Sequence, residues 1–314
     1  MDNPTPLLTV IIPVYNRGWV LARTLKSVAE QTLDSFNVIL VDNNSTDNSL
    51  TLLKMWARNQ AGTSRHVMVC SESTPGAAAA RNCGLAYAET PWVLFFDSDD
   101  EMLPGHLKRA QDFILSHPDA DVVGWNVEIH DIMEGRSVRR FYDRDTCWHN
   151  VVHGSFATHR YCARREIFVR AGGWNPAVRF WDDIELGARI LTLNPRIYHA
   201  GPEITVIIHG SVLSITGTRY ADTLPLMELP LDLIAPHLPE DMRWVCDIKR
   251  IIEAALAARQ GDVEKGREVL DRLMDASPSR SCRLVLKVAY IYTLKSGRGI
   301  ATLLRPLFRI RKLT

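Results

Sequence analysis

Residues 91–100 read PWVLFFDSDD, an apolar run from Pro91 to Phe96 that ends on three carboxylates, Asp97, Asp99 and Asp100. An unbroken apolar run of this length is the pattern of a strand buried on both faces. Three more such runs lie upstream: LTVIIPV (8–14), Asn37–Val41 and the shorter His66–Cys70. Between them Trp19–Gln31, Asp47–Asn59 and the Ala-rich Pro75–Ala88 read as helices, the first with Leu21, Leu25 and Val28 on one face. Strands alternating with helices imply right-handed crossovers and a mostly parallel, Rossmann-like sheet flanked by helices, an α/β fold. Ligands of such sheets bind beyond the carboxyl ends of the strands, which is where Asp97–Asp100 falls.

Downstream the pattern coarsens. Val122–His130, Arg136–Tyr142, Ala157–Ala163 and Glu203–His209 read as strands, and Arg164–Ala171 and Ile184–Leu193 as helices. Four prolines between Pro225 and Pro239 read as a linker. Met242–Arg259, Asp262–Asp275 and Ser281–Leu294 read as a helical appendage, and Gly299–Leu313 mixes apolar with basic residues. The expected organisation is a catalytic domain over 1–221, with a nucleotide half at about 7–100 and an acceptor half at about 121–216. A Pro-rich linker at 222–240 and a helical C-terminal region at 241–314 would follow.

With 46% hydrophobic and 23% charged residues, the 314-residue chain is neither disordered nor fibrous. It holds no apolar run long enough to span a bilayer. Met1-Asp2-Asn3-Pro4 lacks the layout of a signal peptide, so a cytoplasmic location is expected. Six scattered Cys with no C-x-x-C pair suit reduced thiols. The net charge of +1 conceals an asymmetry. Nine of the 37 cations follow Asp275 and no anion does, leaving 28 cations against 36 anions before it, a net of −8. A basic tail with Leu303, Leu304, Leu307, Phe308 and Ile310 suits peripheral contact with anionic lipid, or the packing of a helical bundle. Contact with lipid would put the chain at the inner face of the cytoplasmic membrane. No nucleic-acid partner is expected.

Clustered carboxylates repel unless a cation sits between them, so Asp97–Asp100 reads as a Mg²⁺ or Mn²⁺ site or as a solvated turn that caps a helix. Asp42 ends a buried strand at the same edge and could accept from a nucleoside. In PGAAAARN (75–82), small residues allow close packing, and Arg81 could meet a phosphate or an acid. Asp182 and Asp183 open a helix after Gly172-Gly173-Trp174-Asn175 and Trp181, and act either as dipole caps or with one as a general base. Trp174 and Trp181 are sugar-platform or core candidates. His209 ends an apolar strand and would ligate a metal only by folding back toward Asp99; Ser211, Ser214 and Thr216 follow it. The G-x-G-x-x-G and Walker fingerprints are absent.

Taken in order, VIIPVYNR (10–17), VDNNSTDNS (41–49), PGAAAARNCGL (75–85), FFDSDD (95–100), GGWN (172–175), WDDIEL (181–186) and the His209 segment resemble the family 2 glycosyltransferases of GT-A fold. The resemblance covers about residues 7–216. It implies inverting transfer of a sugar from a nucleotide-diphosphate donor, UDP being favoured, to a saccharide or lipid-linked saccharide in polysaccharide, lipopolysaccharide or other glycoconjugate assembly. It also implies Mn²⁺ or Mg²⁺. By the same resemblance Pro13, Tyr15, Arg17, Asp42, Arg81 and Asp97 surround the nucleotide, Asp99 and His209 hold the metal, and Asp183 is the general base. Trp174, Trp181 and Asp182 are the candidates for an acceptor or sugar platform. Two positions depart from the family: Asp182 replaces the usual Glu, and Asn43 stands where a second Asp is common. Two other readings compete. One is a non-catalytic nucleotide-sugar scaffold of the same fold. The other is a D-x-D phosphatase, whose motif would continue with Thr or Val in place of Asp100 and fall on an earlier strand.

Overall fold

The computed structural model describes residues 5–131, 135–144, 146–210, 219–277, 279–296, 300 and 303–304. The chain divides into two compact units. One is Met1–Thr146 with Ser155–Ser211, and the other is Cys147–Gly154 with Val212–Thr314.

The first unit is built on a seven-stranded sheet. Its strands are β1 (Leu8–Val14), β2 (Asn37–Asp42), β3 (His66–Ser71), β4 (Trp92–Phe95), β6 (Val122–Gly124), β9 (Tyr161–Arg164) and β10 (Ile197–His199), in spatial order β10-β6-β9-β4-β1-β2-β3. All pairings are parallel except those of β9, which runs against both β4 and β6. The fold expectation of a mostly parallel sheet with flanking helices is met. Because side chains alternate across a strand, β1 sends Val10, Ile12 and Val14 into one core and Ile11 into another. The first core is closed by α1 (Leu21–Ala29), α2 (Ser49–Asn59) and α4 (His106–Ser116), and the second by α3 (Ala77–Tyr87), α6 (Arg165–Arg170) and α7 (Asp182–Thr192). Each fully buried aliphatic side chain contributes roughly 1.5–3 kcal/mol, which makes this three-layer arrangement the strongest bias in the sequence. The Ala-rich run has a packing role: at Gly84 of α3 a Cβ would lie 2.4 Å from Ile11 Cγ2, so the helix rests almost directly on β1.

A second, four-stranded sheet has the order β5-β11-β7-β8, with β5 (Glu101–Met102), β7 (Val127–Asp131), β8 (Gly135–Arg139) and β11 (Val206–His209). The single strand expected over 122–130 is therefore two, β6 in one sheet and β7 in the other. The strand expected at Ala157–Ala163 starts four residues later. Short β5, α4 and β10 have no counterpart in the sequence reading.

In the second unit the expected linker at 222–240 is instead mostly helical. Helix α8 spans Tyr220–Ile234 with Pro225 and Pro230 inside it. Each proline removes one backbone hydrogen bond, but Leu224, Met227, Leu231 and Ile234 recur on one buried face, and their burial against α9 (Trp244–Arg259) outweighs that loss. Helices α10 (Val263–Ala276) and α11 (Arg280–Ser296) complete a bundle with α9. Residues 147–154, in the short helix α5 (Thr146–His153), belong to this unit, although they lie well inside the expected catalytic domain. Ser211, Ser214, Thr216 and the chain from 305 onward, including most of the expected segment 299–313, lie outside the described residues.

Candidate active site

The strand order reverses between β4 and β1, and the crevice beyond their carboxyl ends collects most of the motif residues. Phe96 N–H donates to Ile11 O at 2.9 Å, which places Asp97 just past the end of β4 and, in the same register, level with Pro13 near the end of β1. Val14 pairs with Asp42 across β1 and β2. The loops after these two strands are stitched together. Asn16 N–H donates to Ser45 Oγ (3.1 Å), Arg17 N–H to Ser49 Oγ (2.9 Å) and Gly18 N–H to Asp47 Oδ2 (3.0 Å), while Asn16 Oδ1 accepts from Thr46 N–H (2.8 Å). Pro13 is half-buried at the end of β1, and Tyr15 stands 57% exposed.

Asp42 is buried, and its Oδ1 has no hydrogen-bond partner among the described residues. A buried acceptor left open at a ligand edge is costly unless something fills it. Next to it, Asn43 uses both ends of its amide. Nδ2 donates to Glu72 O (2.8 Å) and Thr74 O (2.7 Å), and Oδ1 accepts from Gly76 N–H (2.7 Å). Asp could not donate to those two carbonyls, so the departure from the family pattern at this position has a local structural reason. The clamp fixes the loop leading into α3 at Gly76, whose φ of 125° is open to glycine.

Helix α3 carries Arg81, which is buried and bridges two carboxylates. Nη2 lies 2.9 Å from Asp97 Oδ1, and Nη1 lies 2.7 Å from Asp182 Oδ2. Its guanidinium sits 4.3 Å from the ring centroid of Trp174. Trp174 is itself 1% exposed and packs edge-on against Phe95. It therefore supports Arg81 from below, and the expectation that it offers a face to a sugar is corrected by its burial. Trp181 is half-buried, stacks on Phe180, and adopts φ 56° immediately before α7. A left-handed tryptophan costs roughly 1–3 kcal/mol, which marks a place where the fold holds a residue against its preference. The GGWN loop is pinned by a reciprocal pair: Asn82 Nδ2 donates to Trp174 O and Trp174 N–H donates to Asn82 Oδ1, both at 2.8 Å. Gly173 needs its φ of 69°, and a Cβ there would meet Asn82 Oδ1 at 2.7 Å.

Asp183 follows Asp182 in the first turn of α7, and its Oδ1 accepts from Ile184 N–H at 2.8 Å. Burial, and then the negative charge of Asp182, push its carboxyl up to about 6, with Arg81 opposing. Arg81 thus engages Asp182 and leaves the neighbouring carboxylate with raised proton affinity. Tyr161 Oη, buried and without a hydrogen-bond partner among the described residues, is pushed up first by burial and then by Asp183.

The acidic turn itself is crowded. Burial raises Asp97, but Arg81 and then His159 outweigh it and hold the carboxyl far below its usual range. Asp100 is pushed up to about 7, chiefly by burial and further by Asp97 and Asp99, against His159. Asp99 is raised by burial and Asp97. Its Oδ2 lies 3.5 Å from Arg17 Nε, and its carbonyl accepts from Arg23 Nη2 at 2.5 Å. His159 was not singled out in the sequence, where a lone histidine before a strand carries no signal. Its Nδ1 lies 3.5 Å from Asp97 Oδ2 and 3.3 Å from Asp100 Oδ2. Each carboxylate has its other oxygen occupied, Asp97 by Arg81 and Asp100 by His209 N–H at 2.9 Å.

Ligand atoms of Asp97, Asp100 and His159 all lie within 4.8 Å of one another. Two carboxylates and an imidazole, crowded enough to raise one of the acids, suit a divalent cation. The residues expected as metal ligands are placed differently. Asp99 faces Arg17, and the His209 ring meets Glu101 Oε2 at 3.2 Å, so neither belongs to this compact set.

The family model described as Glycosyl transferase family 2 matches residues 9–169, just over half of the chain. The chain therefore belongs to glycosyl transferase family 2, a family of glycosyltransferase enzymes, and carries its GT-A fold. Over 128 residues it is 34% identical to the glycosyltransferase YibD of Escherichia coli, an alignment covering 41% of this chain and 36% of that one. Over 231 residues it is 27% identical to a PGL/p-HBAD biosynthesis glycosyltransferase of Mycobacterium bovis, covering 72% and 85%. Among solved structures it is similar to S. aureus TarS 1-349 in complex with UDP-GlcNAc, with a TM-score of 0.64, 20% identity, and coverage of 95% and 91%. It is also similar to the mannosyltransferase PcManGT of Pyrobaculum calidifontis in complex with GDP-Man and Mn²⁺, with a TM-score of 0.59, 20% identity, and coverage of 99% and 88%.

Proposed function

We propose that this chain transfers a sugar from a nucleotide-diphosphate donor, with UDP the favoured nucleotide, to an acceptor hydroxyl with inversion at the anomeric carbon. The observation that carries the reading is the Arg81 bridge, which ties Asp97 on the nucleotide side to Asp182 at the head of α7, with Asp183 beside it. The open Oδ1 of Asp42 is suited to a donor N–H or ribose hydroxyl, and Pro13, Tyr15 and Arg17 border the same edge. Asp183 takes the proton of the acceptor hydroxyl, and its raised proton affinity suits a base working near neutral pH. Attack from the face opposite the diphosphate inverts the centre without an enzyme nucleophile. Trp181, partly exposed two residues before Asp183 and stacked on Phe180, is the aromatic we assign to an acceptor sugar.

Asp97, Asp100 and His159 would hold a divalent cation, Mn²⁺ or Mg²⁺, with Asp99 and His209 the alternative ligands. When bound, the cation supplies positive charge to the departing diphosphate. Mn²⁺ affinity of His159→Ala against His209→Ala separates the two sets. A saccharide or lipid-linked saccharide acceptor, in glycoconjugate assembly on the cytoplasmic side, is supported by the relative named for PGL/p-HBAD biosynthesis.

The test begins with thermal stability in UDP, GDP, dTDP and CMP, each with and without Mn²⁺. A ligand at about 100 times its dissociation constant adds roughly 2.7 kcal/mol. A shift with one diphosphate names the base, and no shift with any of them moves the reading to a scaffold. Asp183→Asn should retain that shift while transfer falls roughly 10²–10⁴-fold; unimpaired transfer would sink the assignment of the base.

A further inference from the structure

We propose that the outward face of helix α11 docks on an anionic lipid bilayer. The inner face of the helix is conventional: Leu286, Ala289, Tyr290 and Thr293 are buried in the bundle of the second unit. The outer face is not. Leu284, Val288, Ile291 and Leu294 are 63%, 45%, 41% and 37% exposed, and three of them, at 284, 288 and 291, fall at helical spacing on one stripe. Among the described positions of this helix, the remaining exposed ones are Ser281 and four cations, Arg280, Arg283, Lys287 and Lys295, with no acid among them. Neighbouring α10 shows what an ordinary solvated face looks like in the same unit, exposing Glu264, Glu268, Asp271 and Asp275 among its basic residues.

Charge selects the occupant. No Asp or Glu follows Asp275 anywhere in the sequence, and residues 305–314 repeat the same mixture of Arg or Lys with Leu, Phe and Ile. A second copy of the chain, meeting this face about a two-fold axis, would set cations against cations. An anionic headgroup layer over a hydrocarbon interior satisfies both components at once: the cations meet phosphate while the aliphatic stripe leaves water. No helix among the described residues is long and apolar enough to cross a membrane, so the contact would lie along the interface.

The test is cosedimentation of the full chain with vesicles of phosphatidylcholine alone and of an equal mixture with phosphatidylglycerol. Binding to the mixed vesicles and not to the neutral ones is expected. Each cation at such a surface is worth on the order of fivefold in affinity, so Arg283→Glu with Lys287→Glu should weaken binding more than tenfold. Leu284→Ser with Ile291→Ser should also weaken it. All four side chains are exposed, so the fold should survive, and an unchanged circular dichroism spectrum and melting midpoint would confirm that. The proposal fails if the wild-type chain ignores the mixed vesicles, or if both variants bind as wild type does. It fails equally if Arg309→Glu with Arg311→Glu abolishes binding that both α11 variants retain, or if the wild type is a dimer that Leu284→Ser with Ile291→Ser dissociates.

Discussion

Arg81→Met tests the physical centre of the site. The substitution keeps an unbranched side chain over Trp174 and removes the cation between Asp97 and Asp182. The side chains of Arg81, Asp97 and Asp182 are 7%, 28% and 17% exposed, so water compensates them poorly. Breaking a buried pair by deleting one partner costs about 3–5 kcal/mol, because the other charge is left buried and alone. For a unit of this size, at roughly 2–4 °C per kcal/mol, the melting midpoint should fall by about 6–20 °C at neutral pH. The loss should depend on pH with a definite sign. Against burial, Arg81, followed by His159, holds Asp97 below its unfolded value of about 3.9; removing Arg81 weakens that hold and leaves burial to raise Asp182 further. A carboxyl raised on folding costs nothing below its unfolded value, and its cost grows as pH rises through the folded value. In wild type the stabilisation of Asp97 is lost only as pH falls below about 4, and in the variant the cost at Asp182 grows above it, so the deficit should be complete by pH 8, still present at pH 4, and fall away only at lower pH. Calorimetry of wild type, Arg81→Met, Asp182→Asn and the double variant would close the cycle. Because the two groups touch, the double variant should lose at least about 1 kcal/mol less than the sum of the single losses. A pH-independent deficit, or strictly additive losses, would refute the reasoning.

Four further outcomes are expected. The transfer rate should rise with pH through about 6, as Asp183 loses its proton; a profile that falls over the same range would contradict its role as base. Because that carboxyl is raised on folding, its contribution to stability should decline over the same interval, which urea titrations at pH 4 and pH 7 would register. Gly173→Ala should cost about 1–3 kcal/mol, since it combines a positive φ with a collision at Asn82, and thermal melts suffice to check it. Asn43→Asp should lower the midpoint by several degrees through the loss of two donated hydrogen bonds at about 1 kcal/mol each; an unchanged midpoint would mean that the loop at 72–76 is held by other contacts.

Most of the sheet was legible because strands buried on both faces leave continuous apolar runs, and β1, β2, β3 and β4 all fall within a residue or two of where those runs stand. Helices α1, α2 and α3 were legible from apolar spacing or small-residue content. The failures share a cause. Helix α8 contains two prolines, and local propensity argued for a linker; only the neighbouring α9 makes its buried stripe worth forming. Strands β5, β10 and the β6–β7 break are short, and their pairing partners lie far off in sequence. Residues 147–154 look like part of the first unit until the chain is folded, because their membership is decided by contacts with residues beyond 219.

The candidate site divides along the same line. The sequence determined which chemical groups are present and on which strand ends they sit, because apolar runs and turn residues are local. Those runs placed Asp42 and Asp97 at strand ends, while Arg81, Asp182 and Asp183, which lie on α3 and α7, were grouped with them only by the resemblance to a family. Only the tertiary structure decided the pairings. It put Arg81 between Asp97 and Asp182, set Trp174 beneath Arg81, used Asn43 as a loop clamp, and turned His159 toward Asp97 and Asp100. Those relations join residues as far as 101 positions apart. No periodicity encodes them, because they arise only when two layers of the same sheet have closed and each buried charge must find a partner.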